Sequence, residues 1–226
     1  MKEKIRINFN EPHITYKLSD GTPVVGVTTA IGILDKPALV PWAYKRGKDG
    51  LSLYDSRDKA ANIGTIVHAR IMAYFKGFEV DNSNISPECW KASGESMKSF
   101  FEWAKNKKII PIIIEEPAVN EKYKYGGTPD LYALIDDEPT LTDFKTGSGI
   151  YDEHFIQLAA YLNLPTKDNL KVKKAIILNI PKSKDDSFQI KSISAKNLKD
   201  EFKIFLNCVN IYYLTKKIKN NKKGEI

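Results

Sequence analysis

The chain has 226 residues, of which 42% are hydrophobic and 28% charged, with 35 Lys and Arg against 28 Asp and Glu. This length suits one globular domain with a sizeable core, and the net charge of +7 agrees with a polyanionic partner without identifying one. The longest apolar run falls far short of the roughly 18 residues that span a bilayer, and the N-terminus has no signal-peptide core. Two Cys residues are too few for a disulfide framework or a metal cluster. We therefore expect a soluble, cytoplasmic protein.

The basic residues are unequal, because only four of the 35 are Arg. Arg is the usual bidentate reader of guanine, whereas Lys acts as a point charge on phosphate. A nucleic-acid ligand would therefore be held by its backbone rather than read by sequence. An A/T-rich genome that favours Lys codons explains the same bias equally well.

The first fifty residues are rich in turns. Residues 19–23 link two short alternating stretches and predict a hairpin. Short helices are expected over 27–33 and around Trp42, broken by Pro37 and Pro41.

Two longer helices follow. Apolar residues recur at helical spacing over 56–76, and Gly77 is placed to end that helix. Ser86 is a suitable N-cap for the next helix, with Pro87 in its first turn.

The remaining chain alternates strands and helices. Strands are expected over 109–119, 131–135, 141–145, 175–180 and 188–193, with a turn at 126–129, a helix after 149 and a last helix from 198. This order predicts an α/β fold with a small central mixed β-sheet flanked by helices on both faces. We expect one domain over 1–226, with a lead-in over 1–55, a core over 56–195 and a C-terminal helix and basic tail over 196–226.

The most informative residues are acidic. Asp143 and Lys145 flank Phe144 on a predicted strand, so both side chains project from one face. A carboxylate and an ammonium on an otherwise apolar strand are costly to bury without a purpose such as metal binding. Asp130 opens the preceding strand after a Gly-Gly turn, so it converges with Asp143 if the two strands pair. A turn-capping role for Asp130 is the competing interpretation.

Glu115 and Glu116 end the strand before Asp130. Alternation places them on opposite faces, and we expect Glu116 to face the acidic cluster because the strand pattern continues to Val119. A solvated strand end is the alternative.

Two pairs of residues lie one helical turn apart. Gly64 leaves space below His68 on the long helix, so the imidazole could bind a metal, although a hydrogen-bonded core His is more common. Gln157 and Tyr161 stack on one face of the helix after Lys145, where they could orient that Lys or hold a phosphate, or simply border the helix.

Taken in order, these residues resemble the motifs of the RecB-like branch of the PD-(D/E)xK nuclease superfamily, particularly its small phage-type exonuclease-like proteins. The matching residues are Gly64 and His68, Glu116 or Glu115, Gly127 to Asp130, Asp143 to Lys145, and Gln157 with Tyr161. Met72 stands where many relatives carry Glu. The chain lacks the four Cys of the iron–sulfur branch and any phosphate-binding helicase loop.

The resemblance implies a restriction-endonuclease-like core and a Mg²⁺-dependent deoxyribonuclease, with Mn²⁺ as a substitute. The implied catalytic residues are Asp130, Asp143, Lys145, Glu116, Gln157 and Tyr161, and the implied metal ligands are His68, Glu116, Asp130, Asp143 and the main-chain carbonyl of Phe144. The implied substrate is single-stranded DNA or duplex ends. The implied role is exonuclease action in phage or bacterial DNA recombination, repair or processing. The implied partners are further copies of the chain in a homo-oligomer, or a single-strand-binding or recombination protein. The alternatives are a structure-specific endonuclease and a non-catalytic nucleic-acid-binding protein on the same scaffold.

Overall fold

The computed structural model describes residues 3–9, 14–37, 39–166, 169–182 and 187–224. The strands are β1 (Lys4–Arg6), β2 (Tyr16–Lys17), β3 (Pro23–Gly26), β4 (Glu79–Asp81), β5 (Ile109–Ile114), β6 (Ala118–Asn120), β7 (Tyr125–Gly127), β8 (Leu131–Ile135), β9 (Glu138–Lys145), β10 (Lys174–Asn179) and β11 (Gln189–Ser194). The helices are α1 (Val27–Ile31), α2 (Leu39–Lys48), α3 (Leu53–Lys76), α4 (Pro87–Ala104), α5 (Asp152–Leu162) and α6 (Lys199–Gly224).

The centre of the fold is a mixed five-stranded sheet in the order β11-β10-β9-β8-β5. Strands β9 and β10 run parallel, and the other neighbours are antiparallel. A tight hairpin joins β8 to β9 through Asp136 and Asp137, whose φ angles are 51° and 65°. Two positive φ angles in succession match the twist of the flanking strands, so this turn fixes the register of β8 against β9.

Helices cover both faces of this sheet. On one face Phe144 and Leu178 pack with the apolar sides of α3 and α4. On the other, Leu141 and Ile177 pack with α1, α5 and α6. Because successive residues of a strand point to opposite faces, β9 and β10 contribute to both cores. The predicted α/β fold, a mixed sheet with helices on both faces, is confirmed.

A second, four-stranded sheet has the order β2-β3-β7-β6. It includes the predicted hairpin, in which Tyr16 pairs with Val24. The ring of Tyr16 lies on Gly126, where an added Cβ would come within 2.2 Å of Cγ of the ring, and it also contacts Gly26. Gly126 and Gly127 are part of β7, so the turn predicted at 126–129 is wrong for these two residues.

Two further predictions differ from the structure. The strand expected over 109–119 is two strands, β5 and β6, because the chain turns at Glu115, which has a φ of 48°. Pro41 does not break a helix, since it lies in the first turn of α2, where its missing N–H costs no hydrogen bond. The ends at Gly77 and Ser86 are confirmed: Gly77 follows α3 with a φ of 72°, and Ser86 Oγ accepts from the N–H of Cys89 at 3.2 Å.

In the part of the chain that the structure describes, none of the helices combines the length and the apolar character needed to cross a membrane.

Candidate metal centre

Three acidic residues meet at one end of the central sheet because of its strand register. Ile114 pairs with Leu131 across β5 and β8, so the next residues outward, Glu115 and Asp130, are neighbours. The backbone N–H of Glu115 donates to the carbonyl of Asp130 at 3.0 Å. Leu131 also pairs with Thr142 across β8 and β9, which brings Asp130 opposite Asp143.

Helix α3 adds a histidine to this end of the sheet. Ligand atoms of His68, Glu115 and Asp130 lie within 4.8 Å of one another. Nδ1 of His68 is 3.6 Å from Oδ1 of Asp130, longer than a normal hydrogen bond. Two atoms bound to one cation at about 2.1–2.4 Å are at most about 4–5 Å apart, so these three side chains are close enough to share an ion.

The structure places Glu115 in this group and leaves Glu116 outside it. The alternation that favoured Glu116 requires a continuous strand, and β5 ends at Ile114. The φ of 48° at Glu115 turns its side chain towards His68 and Asp130, whereas Glu116 is exposed. A left-handed conformation at a residue with a Cβ costs about 1–2 kcal/mol, and such local strain is concentrated at functional sites.

Asp143 and Lys145 project from one face of β9, as predicted. The side chain of Asp143 is 1% exposed, and its Oδ2 lies 2.5 Å from Nζ of Lys145. Its buried Oδ1 has no hydrogen-bond partner among the described residues. An ionised oxygen in this position costs free energy unless a cation or a donor satisfies it.

Phe144 joins the two acids through its main chain. Its N–H donates to Oδ2 of Asp130 at 2.7 Å. The predicted metal ligand was its carbonyl, and that role stays a prediction.

The pKa values record how strongly these groups interact. Burial is the main cause that raises the pKa of Asp143 to about 6. The positive charge of Lys145 lowers this pKa in part, and the negative charge of Asp130 raises it further. Burial would also raise the pKa of Asp130, but His68, Lys145 and the Phe144 N–H together hold it below its usual value. Asp130 is therefore the more readily ionised of the two.

His68 and Glu115 are shifted in the same direction. Burial alone would lower the pKa of His68, but the Asp130 and Glu115 carboxylates outweigh it and raise that pKa. Burial and repulsion from Asp130 raise the pKa of Glu115. Three neighbouring carboxylates that disfavour one another's charge form a site that a divalent cation would stabilise.

Gln157 and Tyr161 lie beside the two aspartates. Gln157 Nε2 donates to the Tyr161 hydroxyl at 2.8 Å. Burial, followed by the charges of Asp143 and Asp130, raises the pKa of that hydroxyl, which stays protonated at neutral pH. Gly127 admits the Tyr161 ring, because an added Cβ would lie 2.8 Å from Cε1 of the ring.

The position that a side chain at residue 64 would take is occupied. A Cβ added to Gly64 would lie 2.8 Å from Oγ1 of Thr146 and 4.0 Å from Nζ of Lys182. Gly64 thus lets α3 approach the segment that follows Lys145. Thr146 therefore takes the space expected directly at Gly64, and the open space that Gly64 and His68 line lies beside it.

Sequence patterns missed several residues near this site. Thr146 directly follows the D-x-K triplet, so its position could have been inferred. His154 was also missed. Burial, followed by the positive charges of Lys145 and Lys36, lowers the pKa of its imidazole to about 4. The hydroxyls of Tyr16 and Thr128 are hydrogen-bonded to each other at 2.9 Å, and Thr128 lies two residues before Asp130. Nothing in the sequence links Tyr16 to Asp130, which is over a hundred residues away.

The donor set fits a divalent cation. Two carboxylates and one neutral imidazole bind through oxygen and nitrogen, and the unsatisfied Oδ1 of Asp143 is a further available oxygen. Carboxylates suit Mg²⁺ and Mn²⁺, which are held by one or two of them together with water and phosphate oxygens, while an imidazole ligand also suits heavier ions.

Comparisons with known proteins give limited similarity. No protein-family model matches the chain, and no curated protein matches it. Among solved structures, the crystal structure of SSO0001 is 19% identical with a TM-score of 0.28, and the match covers 49% of this chain and 54% of that one. The chain therefore matches about half the length of SSO0001.

An alkaline exonuclease (LHK-Exo) from Laribacter hongkongensis also matches. It is 12% identical with a TM-score of 0.32, and the match covers 72% of this chain and 91% of that one. The same enzyme in complex with dAMP is 11% identical with a TM-score of 0.33 over the same shares of the two chains. At these values the similarity does not establish an activity for this chain.

Proposed function

We propose that this protein is a Mg²⁺-dependent deoxyribonuclease that hydrolyses phosphodiester bonds, with Mn²⁺ able to substitute. The observation that carries the proposal is the convergence of His68, Glu115 and Asp130 within 4.8 Å, beside the buried Asp143–Lys145 pair. Exonuclease action is the more specific form of the proposal, and it follows the motif resemblance.

The proposed metal ligands are Asp130, Asp143, Glu115 and His68. A divalent ion held there would supply Lewis-acid chemistry, which activates water and neutralises charge on the scissile phosphate. Every ligand comes from the end of a strand or from the middle of α3, so the sheet register fixes their relative positions before substrate binds.

Lys145 is the proposed cationic catalytic residue. Its ammonium lies against Asp143 and is 19% exposed, so it can reach a phosphate at the surface of the site. There it would orient the attacking water or stabilise negative charge that develops in the transition state. Gln157 and Tyr161 present a hydrogen-bonded amide and a neutral hydroxyl on the same side, and they would orient Lys145 or contact the DNA strand.

The proposed substrate is a DNA strand held mainly through its backbone. The net charge of +7 favours a polyanion, and Trp42 and Tyr44 on α2 carry aromatic rings, with Tyr44 74% exposed, that could stack on an end base. A role in phage or bacterial DNA recombination, repair or processing, a cytoplasmic location and any oligomer or protein partner stay predictions from the resemblance and the composition.

The test uses purified full-length protein with end-labelled linear DNA and closed circular DNA. We expect linear DNA to be degraded with Mg²⁺ or Mn²⁺ and left intact with EDTA, and Asp143→Asn to be inactive. Undiminished cleavage in EDTA or by Asp143→Asn would contradict the metal mechanism.

The same assay separates the alternatives. Nicking of circular DNA would identify an endonuclease. Metal-dependent DNA binding without any cleavage would identify a non-catalytic DNA-binding protein on this scaffold.

A further inference from the structure

A cavity of about 450 Å³ opens beside the candidate metal centre. His68 and Glu115 form one side of it, and the strand end Arg6 to Asn8 forms another. Ile5 of β1 and Ala69 and Met72 of α3 line much of the remainder. This volume is within the roughly 300–1,000 Å³ that small-molecule sites usually occupy, so it accommodates about one nucleotide unit.

Arg6 brings a cation to this cavity from the N-terminal strand. Its side chain is exposed, and the register of β1 against β4 places Asp81 beside it. Asp81 already accepts the backbone N–H of Ser83 at 3.0 Å. The charge of Arg6 acts on the Asp81 carboxylate, but attraction between surface charges contributes little to stability, so the guanidinium is still able to bind a phosphate.

Lys182 lies near the wall formed by α3. Its Nζ would be 4.0 Å from a Cβ at Gly64, a residue that lines the cavity together with Thr146. The carbonyl of Pro181 accepts from Ser96 Oγ at 2.7 Å, which fixes the chain just before Lys182 to α4. Asn179, three residues earlier, pairs with Lys145 across β10 and β9. Lys182 therefore belongs to the same end of the sheet as the proposed catalytic residues.

A DNA strand that enters this site meets a field made mostly by carboxylates. Asp130, Asp143 and Glu115 repel a polyanion wherever a bound cation does not neutralise them. A strand that places one phosphate at the metal centre must also place the adjoining phosphate close by. Cations beside the acidic group are therefore needed to hold the strand, and Arg6 and Lys182 lie in that position.

We propose that this cavity is a subsite for the DNA backbone phosphate adjacent to the scissile one, with Arg6 and Lys182 as the cations that bind it. The proposal rests on the proposed nuclease function and adds two phosphate-binding residues that none of the recognised motifs contains. Arg6 supplies a planar donor pair that suits two oxygens of one phosphate, and Lys182 supplies a point charge.

The test measures binding rather than cleavage. A fluorescein-labelled single-stranded oligonucleotide is titrated with the full-length protein in EDTA at several salt concentrations, and anisotropy gives Kd. Arg6→Gln and Lys182→Gln are each expected to raise Kd about five- to tenfold and to reduce the slope of log K against log salt by about 0.7, the value for one lost phosphate contact on a single strand.

Lys196→Gln is the matched control. It also removes one positive charge, but Lys196 follows β11 at the opposite end of the sheet from the site. We expect its Kd and salt slope to match the wild type within about twofold, because a distant exposed charge is screened at ordinary salt. Equal effects of all three substitutions would overturn the subsite, since they would report net charge alone.

Asp81→Asn separates phosphate binding from a structural role of Arg6. If Arg6 only pairs with Asp81, Arg6→Gln and Asp81→Asn lower Tm alike and both leave the salt slope unchanged, which overturns the proposal for Arg6. If Arg6 binds phosphate, only Arg6→Gln changes the slope, and Arg6→Lys restores most of it.

The outcomes distinguish this subsite from the nuclease proposal itself. Unchanged slopes for Arg6→Gln and Lys182→Gln, with cleavage by the wild type and none by Asp143→Asn, would overturn the subsite and leave the nuclease. Reduced slopes in a wild-type protein that cleaves no DNA would support the phosphate-binding cavity and refute the nuclease.

Discussion

The backbone N–H of Phe144 donates a 2.7 Å hydrogen bond to Oδ2 of Asp130, so the middle residue of the D-x-K triplet holds the carboxylate of the neighbouring strand. The side chains on either side of Phe144 are Asp143 and Lys145, which face each other. One short segment of β9 therefore positions two acids and one base, and a shift of β9 against β8 would displace all of them together.

This relationship predicts different consequences for two substitutions of Asp130. Asp130→Asn keeps an oxygen that can accept from Phe144, so its Tm should remain close to that of the wild type. Asp130→Ala leaves that N–H without its acceptor, which costs about 1–3 kcal/mol. Both variants should lose metal affinity and cleave at least about 100-fold more slowly, because both lack the carboxylate proposed as a metal ligand. Thermal melts and cleavage rates measure the two effects, and equal melting of both variants would contradict the role of the hydrogen bond.

Asp143→Asn should separate stability from activity. Burial raises the pKa of Asp143 to about 6, from an ordinary value of 3.8, so its ionised form destabilises the metal-free fold. A neutral amide of the same shape should raise the free energy of unfolding by up to about 3 kcal/mol at pH 7.5 in EDTA. The same variant should not cleave DNA. A variant that is both inactive and less stable in EDTA would show that the carboxylate supports the fold.

Glu115 and Glu116 provide a matched pair of substitutions. Glu115→Gln removes a charge from the group that includes His68 and Asp130, and it should weaken Mn²⁺ binding and cleavage about 10- to 100-fold. Glu116→Gln removes the same charge one residue away and should change either quantity less than about twofold. Calorimetric titration with Mn²⁺ and initial cleavage rates test both. The reverse order of effects would return the ligand role to Glu116.

Gly64 and Thr146 should be energetically coupled. Ala is favoured over Gly inside a helix by about 1 kcal/mol, but a Cβ at position 64 would lie 2.8 Å from Thr146 Oγ1. Such a contact costs about 1–3 kcal/mol, so Gly64→Ala should be destabilising or neutral in the wild type and stabilising in Thr146→Ala. A double-mutant cycle from urea unfolding gives the coupling free energy. Additive effects would show that Thr146 moves aside without cost.

His154 should make stability depend on pH. Burial, with the charges of Lys145 and Lys36, lowers its pKa in the folded state to about 4, against an ordinary value of 6.5. Between these values the unfolded chain binds a proton that the folded chain does not, so stability is fully present above pH 6.5 and falls as the pH drops towards 4. His154→Gln keeps an acceptor for the Tyr151 N–H, which His154 Nδ1 accepts at 3.2 Å, and should flatten this fall in urea midpoints. Parallel curves for both proteins would refute the shifted pKa.

The sequence was sufficient to predict most strands of the central sheet and the positions of Asp130, Asp143 and Lys145 near its end. Short apolar runs identified β8 and β10, a period of 3.6 identified α3, and the N-cap at Ser86 identified the start of α4. The tight turn between β8 and β9 made the pairing of these two strands predictable. The convergence of Asp130 with Asp143 followed from two short strands joined by a hairpin. The prediction of these elements and the prediction that Asp130 converges with Asp143 both depend on local spacing along the chain, which a single sequence contains.

Details that depend on tertiary contacts were not predictable. Alternation selected Glu116, because the sequence does not reveal that the chain takes a left-handed conformation at Glu115. Gly64, Gly126 and Gly127 suggested space or bending, yet each admits a side chain from a distant part of the chain. The nearness of Tyr16 to the turn before Asp130 likewise requires the fold.

The contact of the Tyr16 ring with Gly126 links two positions that the chain separates by more than a hundred residues. An aromatic ring at 16 needs a residue without a side chain at 126, because even a methyl group would overlap the ring. A larger residue at 126 should therefore be tolerated only together with a smaller residue at 16, and in related proteins a larger residue at the position of Gly126 should accompany a small one at the position of Tyr16. The N-terminal hairpin and the strand before Asp130 would then vary as one unit, although they are encoded far apart.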